Sequence, residues 1–255
     1  MTRSAMTPPR AILITGASRG IGAALAHAYA APGVTLALCA RDAAALERVA
    51  AEAGAKGARV VTGLLDVTDG AALAAFFARA EAVAPLDLVI VNAGIGDTNK
   101  GLPDLRRAAR RIFAVNIDAA VETALLALDH MLPRRAGQIA LVASLAGFQG
   151  GPGAAPYCAS KAALRVFGEG LRAEAAREGI RVNVICPGFV ETDLTAKNDF
   201  AMPFLWRADR AAAHIARGLA RDAARIAFPW PLVAGLKLVN LLPQGLVAAA
   251  MARRR

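Results

Sequence analysis

Eight residues, Thr15-Gly16-Ala17-Ser18-Arg19-Gly20-Ile21-Gly22, follow directly on the apolar run Ala11-Ile12-Leu13-Ile14 and open an Ala-rich helical pattern that continues to Ala31. A strand that ends in three glycines and turns into a helix is a cradle for phosphate. Gly16 permits the tight turn, Gly20 lets the backbone approach a pyrophosphate, and Gly22 lets the helix pack close to the strand. The free N–H groups and the positive dipole of the helix's first turn then face the anion. The spacing G-x-x-x-G-x-G departs from the usual G-x-G-x-x-G, and the lack of a Gly-Lys-Ser/Thr ending argues against a nucleoside triphosphatase. Far along the chain, Tyr157 and Lys161 stand at i and i+4 of a predicted helix that starts near Pro156, so both project from one face. Alone, such a pair is a surface contact with the lysine stem laid along the helix. Here Ser144 precedes it by thirteen residues, across the glycine-rich loop Gly147 to Gly153.

The elements that must position these residues are visible as short apolar runs alternating with helical patterns. Strands are predicted at Ala11–Thr15, Val34–Cys39, Arg59–Leu64, Leu86–Val91, Gln138–Ala143, Arg181–Ile185 and Arg225–Phe228. Most are continuously apolar, as strands covered on both faces must be. Helices are predicted over Gly20–Ala31, Asp42–Ala53, Asp69–Ala84, Pro103–Leu132, Pro156–Glu178 and Asp209–Arg221, with Asp42 and Asp69 as N-caps and Gly54 and Gly179 as C-terminal stops. Strict β-α alternation predicts an α/β fold: a doubly wound, Rossmann-type parallel sheet of about seven strands, helices on both faces, in one domain spanning residues 1–255. Ligands bind such sheets beyond the carboxyl ends of the strands. Polar residues gather there: Arg41 after strand two, Asp66 after strand three, Asn92-Ala93-Gly94 after strand four, Ser144 after strand five and Pro187-Gly188 after strand six, with Asn116 in the helix that follows strand four.

Composition narrows the classes. With 255 residues, 56% of them hydrophobic, the chain can bury a large core. The glycine loop begins too early to leave room for the apolar segment of a signal peptide. Three widely separated cysteines (Cys39, Cys158, Cys186) and three histidines without ligand spacing indicate neither a disulfide framework nor a metal site, and a reduced, cytoplasmic compartment is the default expectation. The net charge of +10 comes from arginines scattered along helices with no aromatic-interleaved basic stripe, so a solvated basic surface is expected and nucleic acid is not.

Taken together, Thr15–Gly22, Asp66-Val67, Asn92-Ala-Gly94, Asn116, Ser144, Tyr157-Cys-Ala-Ser-Lys161 and Pro187-Gly-Phe-Val-Glu-Thr192 resemble the short-chain dehydrogenase/reductase family, in that family's order, over roughly residues 11 to 192. One departure is visible: Val91 stands where the family's Asn-Asn-Ala-Gly has its first Asn. The resemblance implies hydride transfer between a nicotinamide cofactor and an alcohol or carbonyl. It also implies a catalytic set of Asn116, Ser144, Tyr157 and Lys161. Gly16, Ser18, Arg19, Gly20, Ile21, Gly22, Arg41, Asp66, Val67, Asn92, Ala93, Gly94, Tyr157, Lys161, Pro187, Gly188, Val190 and Thr192 would bind the cofactor. In that scheme Ser144 hydrogen-bonds the substrate oxygen, Asn116 positions a water linking Lys161 to solvent, and Lys161 also holds the nicotinamide ribose. The physics is consistent. A reduced carbonyl oxygen needs a proton, and Tyr157's phenol can supply it. A free phenol has a pKa of about 10; an ammonium at roughly 5 Å, in an effective dielectric of about 20, favours phenolate by about 3 kcal/mol, or about two pKa units. The rival classes are a non-catalytic dinucleotide-binding sensor or scaffold, and epimerase or dehydratase chemistry on the same fold. The first predicts a lost Ser144, Tyr157 or Lys161, and all are present; against the second, which stays open as an alternative, stands the compact length without a long substrate domain.

Strand two ends at Ala40, where an acid would bind the adenosine ribose of NAD(H), and Arg41 follows; with Arg19 in the glycine loop, two guanidinium groups favour the 2′-phosphate of NADP(H). Residues 189–210 include Phe189, Met202, Phe204, Leu205 and Trp206, interrupted by Pro203, and are expected to cover a mainly apolar substrate, to pack in the core or to form a subunit contact. Residues 228–255 are expected to form a packing or subunit contact, making the chain a homodimer or homotetramer. Its prolines argue against a transmembrane helix and predict a turn with short helical pieces, while peripheral contact with an anionic membrane is the less favoured partner.

Overall fold

A computed structural model describes residues 8–96, 102–196 and 200–252. The terminal arginines Arg253–Arg255 and residues 197–199 of the expected substrate cover lie outside them. Seven strands, β1 Ala11–Thr15, β2 Thr35–Ala40, β3 Arg59–Leu64, β4 Leu88–Val91, β5 Gly137–Val142, β6 Ile180–Pro187 and β7 Arg225–Phe228, form one sheet in the order β3-β2-β1-β4-β5-β6-β7. Every pairing is parallel. Strand order therefore reverses at β1, which lies between β2 and β4, and the crevice of a doubly wound sheet opens there.

Alternation along the strands builds two cores. Ile12 and Ile14 of β1 face helices α1 (Gly20–Tyr29), α2 (Ala43–Ala55) and α7 (Ala208–Ala220), through Leu25, Leu46 and Ile215. Leu13 points the other way, into a cluster with Phe77 of α3 (Gly70–Val83), Ala124 of α5 (Ala120–Met131) and Leu164 of α6 (Ala155–Ala175). One strand serving both faces is why its sequence is apolar without interruption.

The expected caps form: Asp42 accepts from the Ala45 N–H and Asp69 from the Ala72 N–H, each at 3.0 Å. Gly54 does not end α2. It lies inside the last turn, and the left-handed residue after the helix is Gly57, with φ 88. The single helix predicted over Pro103–Leu132 is instead α4 (Leu105–Phe113), a π-type stretch at Ala114–Ala119, and α5. Such widened turns accompany side chains that must be re-aimed, and the residue re-aimed here is Asn116. After β7, a cis Phe228–Pro229 peptide leads into α8 (Trp230–Val239), followed by α9 (Gln244–Ala252), the short helical pieces expected of this segment.

Candidate active site

The ends of β1 and β4 are tied together at the reversal point. The Thr15 hydroxyl accepts from the N–H groups of Asn92 and Ala93, both at 3.1 Å, and the Asn92 amide donates to the carbonyls of Thr15 and Gly16, both at 3.0 Å. Gly16, with φ +65, makes the turn out of β1. A Cβ on Gly22 would lie 2.3 Å from the Gly16 carbonyl oxygen, so the first turn of α1 packs on the loop only as glycine. At Arg19, which precedes α1, no side chain caps the helix, and its first turn carries no acid. Its N–H groups and dipole are therefore available to an anion.

Above this cradle lies a cleft of about 940 Å³. Its walls contain the residues singled out in sequence: Gly16, Ser18, Arg19, Gly20 and Ile21; Arg41, Asp66 and Val67; Asn92, Ala93 and Gly94; Ser144, Tyr157 and Lys161; and Pro187, Gly188, Val190 and Thr192. Gly22 and Asn116 do not line it and act from behind. Asn116 is buried; its carboxamide accepts from the Ile95 N–H at 2.8 Å and donates to the Ile95 carbonyl at 2.9 Å and the Ser160 hydroxyl at 3.0 Å. Its side chain thus fastens the 92–96 loop to α6.

Ser144 lies just beyond the end of β5 and Tyr157 in the first turn of α6, and both line the cleft. The Ser144 hydroxyl accepts from the Ala146 N–H at 3.1 Å, which fixes it in place. Lys161 is buried, donates to the Val142 carbonyl at 2.8 Å, and lies 5.9 Å from the centre of the Tyr157 ring. Burial governs both titrations. It pushes the Tyr157 phenol above its ordinary value, against the opposing effect of the Ser144 hydroxyl, and lowers Lys161 to about 8. Desolvation of the phenol acts against the acidifying effect of Lys161 expected from the sequence.

The lysine shift has a consequence for stability. A buried ammonium whose folded pKa lies below its ordinary 10.5 costs stability fully below pH 8, and the cost is relieved as pH rises from about 8 towards 10.5. Lys161→Met should therefore be stabilised relative to the parent at neutral pH. The advantage should shrink as urea denaturation is repeated up to pH 9, and a pH-independent gap would refute this origin.

At the other end of the cleft, Arg41 pairs with Asp66 and Arg19 with Asp193, each at 3.2 Å and each half-exposed. Burial of Asp66 works to raise its pKa, but the Thr68 N–H and hydroxyl and the Arg41 guanidinium outweigh it and hold the carboxyl low. Several lining residues were not anticipated, among them Arg111, Val115, Asp193 and Leu194. Arg111 and Val115 stand one helical turn apart, a periodicity that points both at the cleft and was legible in the sequence. Leu194 is in contact range of the opposite rim: a Cβ on Gly96 would lie 3.0 Å from its Cδ1. Trp206 belongs to the core, stacked on Phe228 with ring centres 4.8 Å apart, whereas Phe200 and Phe204 are exposed.

Among the described residues no group of side chains could hold a metal ion, and no helix is long and apolar enough to cross a membrane. Cys39, Cys158 and Cys186 are free and buried.

Residues 10–202 match the family model for short chain dehydrogenases. An uncharacterized oxidoreductase of Myxococcus xanthus (strain DK1622) is 40% identical over 249 residues, covering 96% of this chain and 98% of that protein. The galactitol 2-dehydrogenase (L-tagatose-forming) of Cereibacter sphaeroides is 40% identical over 187 residues, 72% of each chain. Among solved structures, a short-chain dehydrogenase from Sphingobium yanoikuyae in complex with NADPH superposes with a TM-score of 0.80 at 28% identity, covering 93% of this chain and 94% of that one.

Proposed function

The chain belongs to the short-chain dehydrogenase family, and from that membership we propose that it is an NADP(H)-dependent oxidoreductase acting on an alcohol or carbonyl of mainly apolar character. The observation that carries this reading is the convergence of Ser144, Tyr157 and Lys161 on one wall of a cleft whose floor is the glycine cradle. The residues fit a dinucleotide: the cradle has no room for added Cβ atoms, α1 presents an uncapped first turn, and Lys161 stands beside Gly94 with its Nζ 3.3 Å from where a Cβ would sit. Gly16 to Gly22 would hold the pyrophosphate, Lys161 the nicotinamide ribose, and Arg19 and Arg41 the 2′-phosphate. When bound, the nicotinamide supplies or accepts the hydride.

The chain's own residues handle the oxygen. Ser144 and Tyr157 present paired hydroxyls, one to hold the substrate oxygen and the other to give it a proton as its charge develops. The raised phenol pKa keeps Tyr157 protonated near neutrality, the state that carbonyl reduction requires. The reverse reaction needs phenolate, and the Lys161 ammonium, 5.9 Å from the ring centre, acts in that direction. Leu194 at the cleft, with Phe189 and Phe200 near it in sequence, would cover the substrate, and the edge-on contact of Phe189 with Phe200, ring centres 6.0 Å apart, supports an apolar cover. A panel of alcohols and ketones assayed by NADPH absorbance tests the reading; no turnover on any of them, with cofactor bound, would sink it in favour of a sensor role.

Cofactor selection is tested separately. Strand β2 ends at Ala40 without a carboxylate, and the Asp42 side chain is engaged in capping α2. The NADPH of the Sphingobium yanoikuyae relative supports the same choice. A 2′-phosphate would displace Asp66 and Asp193 from the two arginines, and exposed ion pairs of this kind are worth only about 0–1 kcal/mol. Charge-assisted bonds to phosphate are worth about 1.5–3 kcal/mol, so Arg41→Ala should weaken NADPH roughly 10- to 100-fold and leave NADH nearly unchanged. The preference should also narrow in high salt. Equal affinity of the parent protein for both cofactors would remove this assignment.

A further inference from the structure

Helices α8 and α9 have an inner and an outer side. Leu232, Val233 and Leu236 of α8 pack against a cluster of Ala143, Leu145, Val184 and Cys186. The outer side is apolar and bare: Trp230 is 78% exposed, Leu238 66%, Leu241 80% and Leu246 62%. This is a concentration of large apolar side chains that a solvated surface does not carry without a partner. Charge identifies the partner. From Pro229 to Arg255 the sequence contains Lys237 and the three terminal arginines and not one Asp or Glu, and Lys237 is exposed beside Leu238. Apolar side chains with a tryptophan, flanked only by cations, are what an interfacial helix presents to anionic lipid headgroups.

We infer that the α8–α9 surface docks on an anionic lipid bilayer. The sequence alone favoured a protein contact for this segment. The assignment changes because the exposed apolar side and the exposed Lys237 occur on the same short helix, in a segment whose sequence adds three terminal arginines and no acid, while the core-facing side is already satisfied. The inner side of the same helices adjoins the cleft: a Cβ on Gly188 would lie 3.1 Å from Leu232 Cδ1, and Gln149, in the loop after Ser144, donates to the Gln244 side-chain oxygen at 3.4 Å. A role in receiving an apolar substrate from the bilayer rests on the proposed dehydrogenase reading, but docking itself does not.

The intact protein should cosediment with vesicles of phosphatidylcholine and phosphatidylglycerol, and not with phosphatidylcholine alone. Binding should fall as salt rises. Tryptophan emission should shift to the blue on binding, and the shift should vanish in Trp230→Phe, leaving only the inner Trp206. Leu241→Glu with Leu246→Glu should reduce binding to the level of neutral vesicles while the thermal melt stays that of the parent. If that variant misfolds, Trp230→Ser with Leu238→Gln makes the same test. Failure of the parent to bind anionic vesicles would overturn the inference, as would parent-like binding by the folded variants. A second copy of the chain would be the occupant instead if sedimentation shows a dimer that the variants dissociate while vesicles leave the Trp230 emission unmoved. None of these readouts requires turnover, so a failed vesicle assay and a failed activity assay remain separate results.

Discussion

Tyr157→Phe should lower turnover by about 10²–10⁴-fold, the range that a positioned proton donor contributes, while NADPH still binds. The substitution keeps the ring and its packing in the first turn of α6 and removes only the hydroxyl. Because Lys161 and the glycine cradle are untouched, a fluorescence titration with NADPH should match the parent. Lys161→Ala, by contrast, should damage binding as well as rate, since one ammonium serves both the ribose and the phenol. Near-normal turnover by Tyr157→Phe on any substrate the parent accepts would remove Tyr157 from the chemistry.

Gly22→Ala is expected to abolish dinucleotide binding and destabilise the fold, although local propensity argues the other way. Alanine in a helix is favoured over glycine by about 1 kcal/mol. At this position its Cβ would lie 2.3 Å from the Gly16 carbonyl oxygen and 2.6 Å from the Asn92 amide nitrogen, and neither can retreat, because Asn92 is itself bonded to Thr15 and Gly16. Overpacking of this kind costs about 1–3 kcal/mol, and each strained Asn92 bond adds about 1 kcal/mol. The steric term wins. Gly54→Ala is the control: it lies in the last turn of α2 with nothing within 4 Å of the added carbon, so propensity acts alone and stability should rise. Urea denaturation and NADPH titration of both variants decide the matter; parent-like stability and binding in Gly22→Ala would refute this account of the cradle.

Strands β1 and β4 were legible because each is buried on both faces and runs apolar almost without a break. The strand ends were legible because a doubly wound sheet has only one place to put its polar residues. What escaped the sequence depended on distance or on geometry finer than a period. Asp193 as the partner of Arg19 lies 174 residues away, and no spacing rule reaches that far. The π-type turns at Ala114–Ala119 carry no Gly or Pro that would mark them within the helical run. Trp206 and Phe204 are equally aromatic, yet one stacks on Phe228 and the other faces solvent, a difference set by the backbone path between them. The desolvation that dominates Tyr157 and Lys161 follows from how deeply α6 is buried, which periodicity does not measure.

The place of β1 in the middle of the sheet also dictates an order of events as the chain emerges during synthesis. Ile14 finds Leu38 of β2 early, but its other neighbour is Ile90 of β4, and the Thr15 hydroxyl waits for N–H groups 77 and 78 residues further on. Until β4 arrives, one edge of β1 is an unpaired, wholly apolar strand, the kind of edge that pairs with the wrong chain. Pairings this remote in sequence are slow to form. The strand order that opens the crevice thus leaves a β1–β2–β3 half-sheet with a sticky edge for as long as β4 remains to be made.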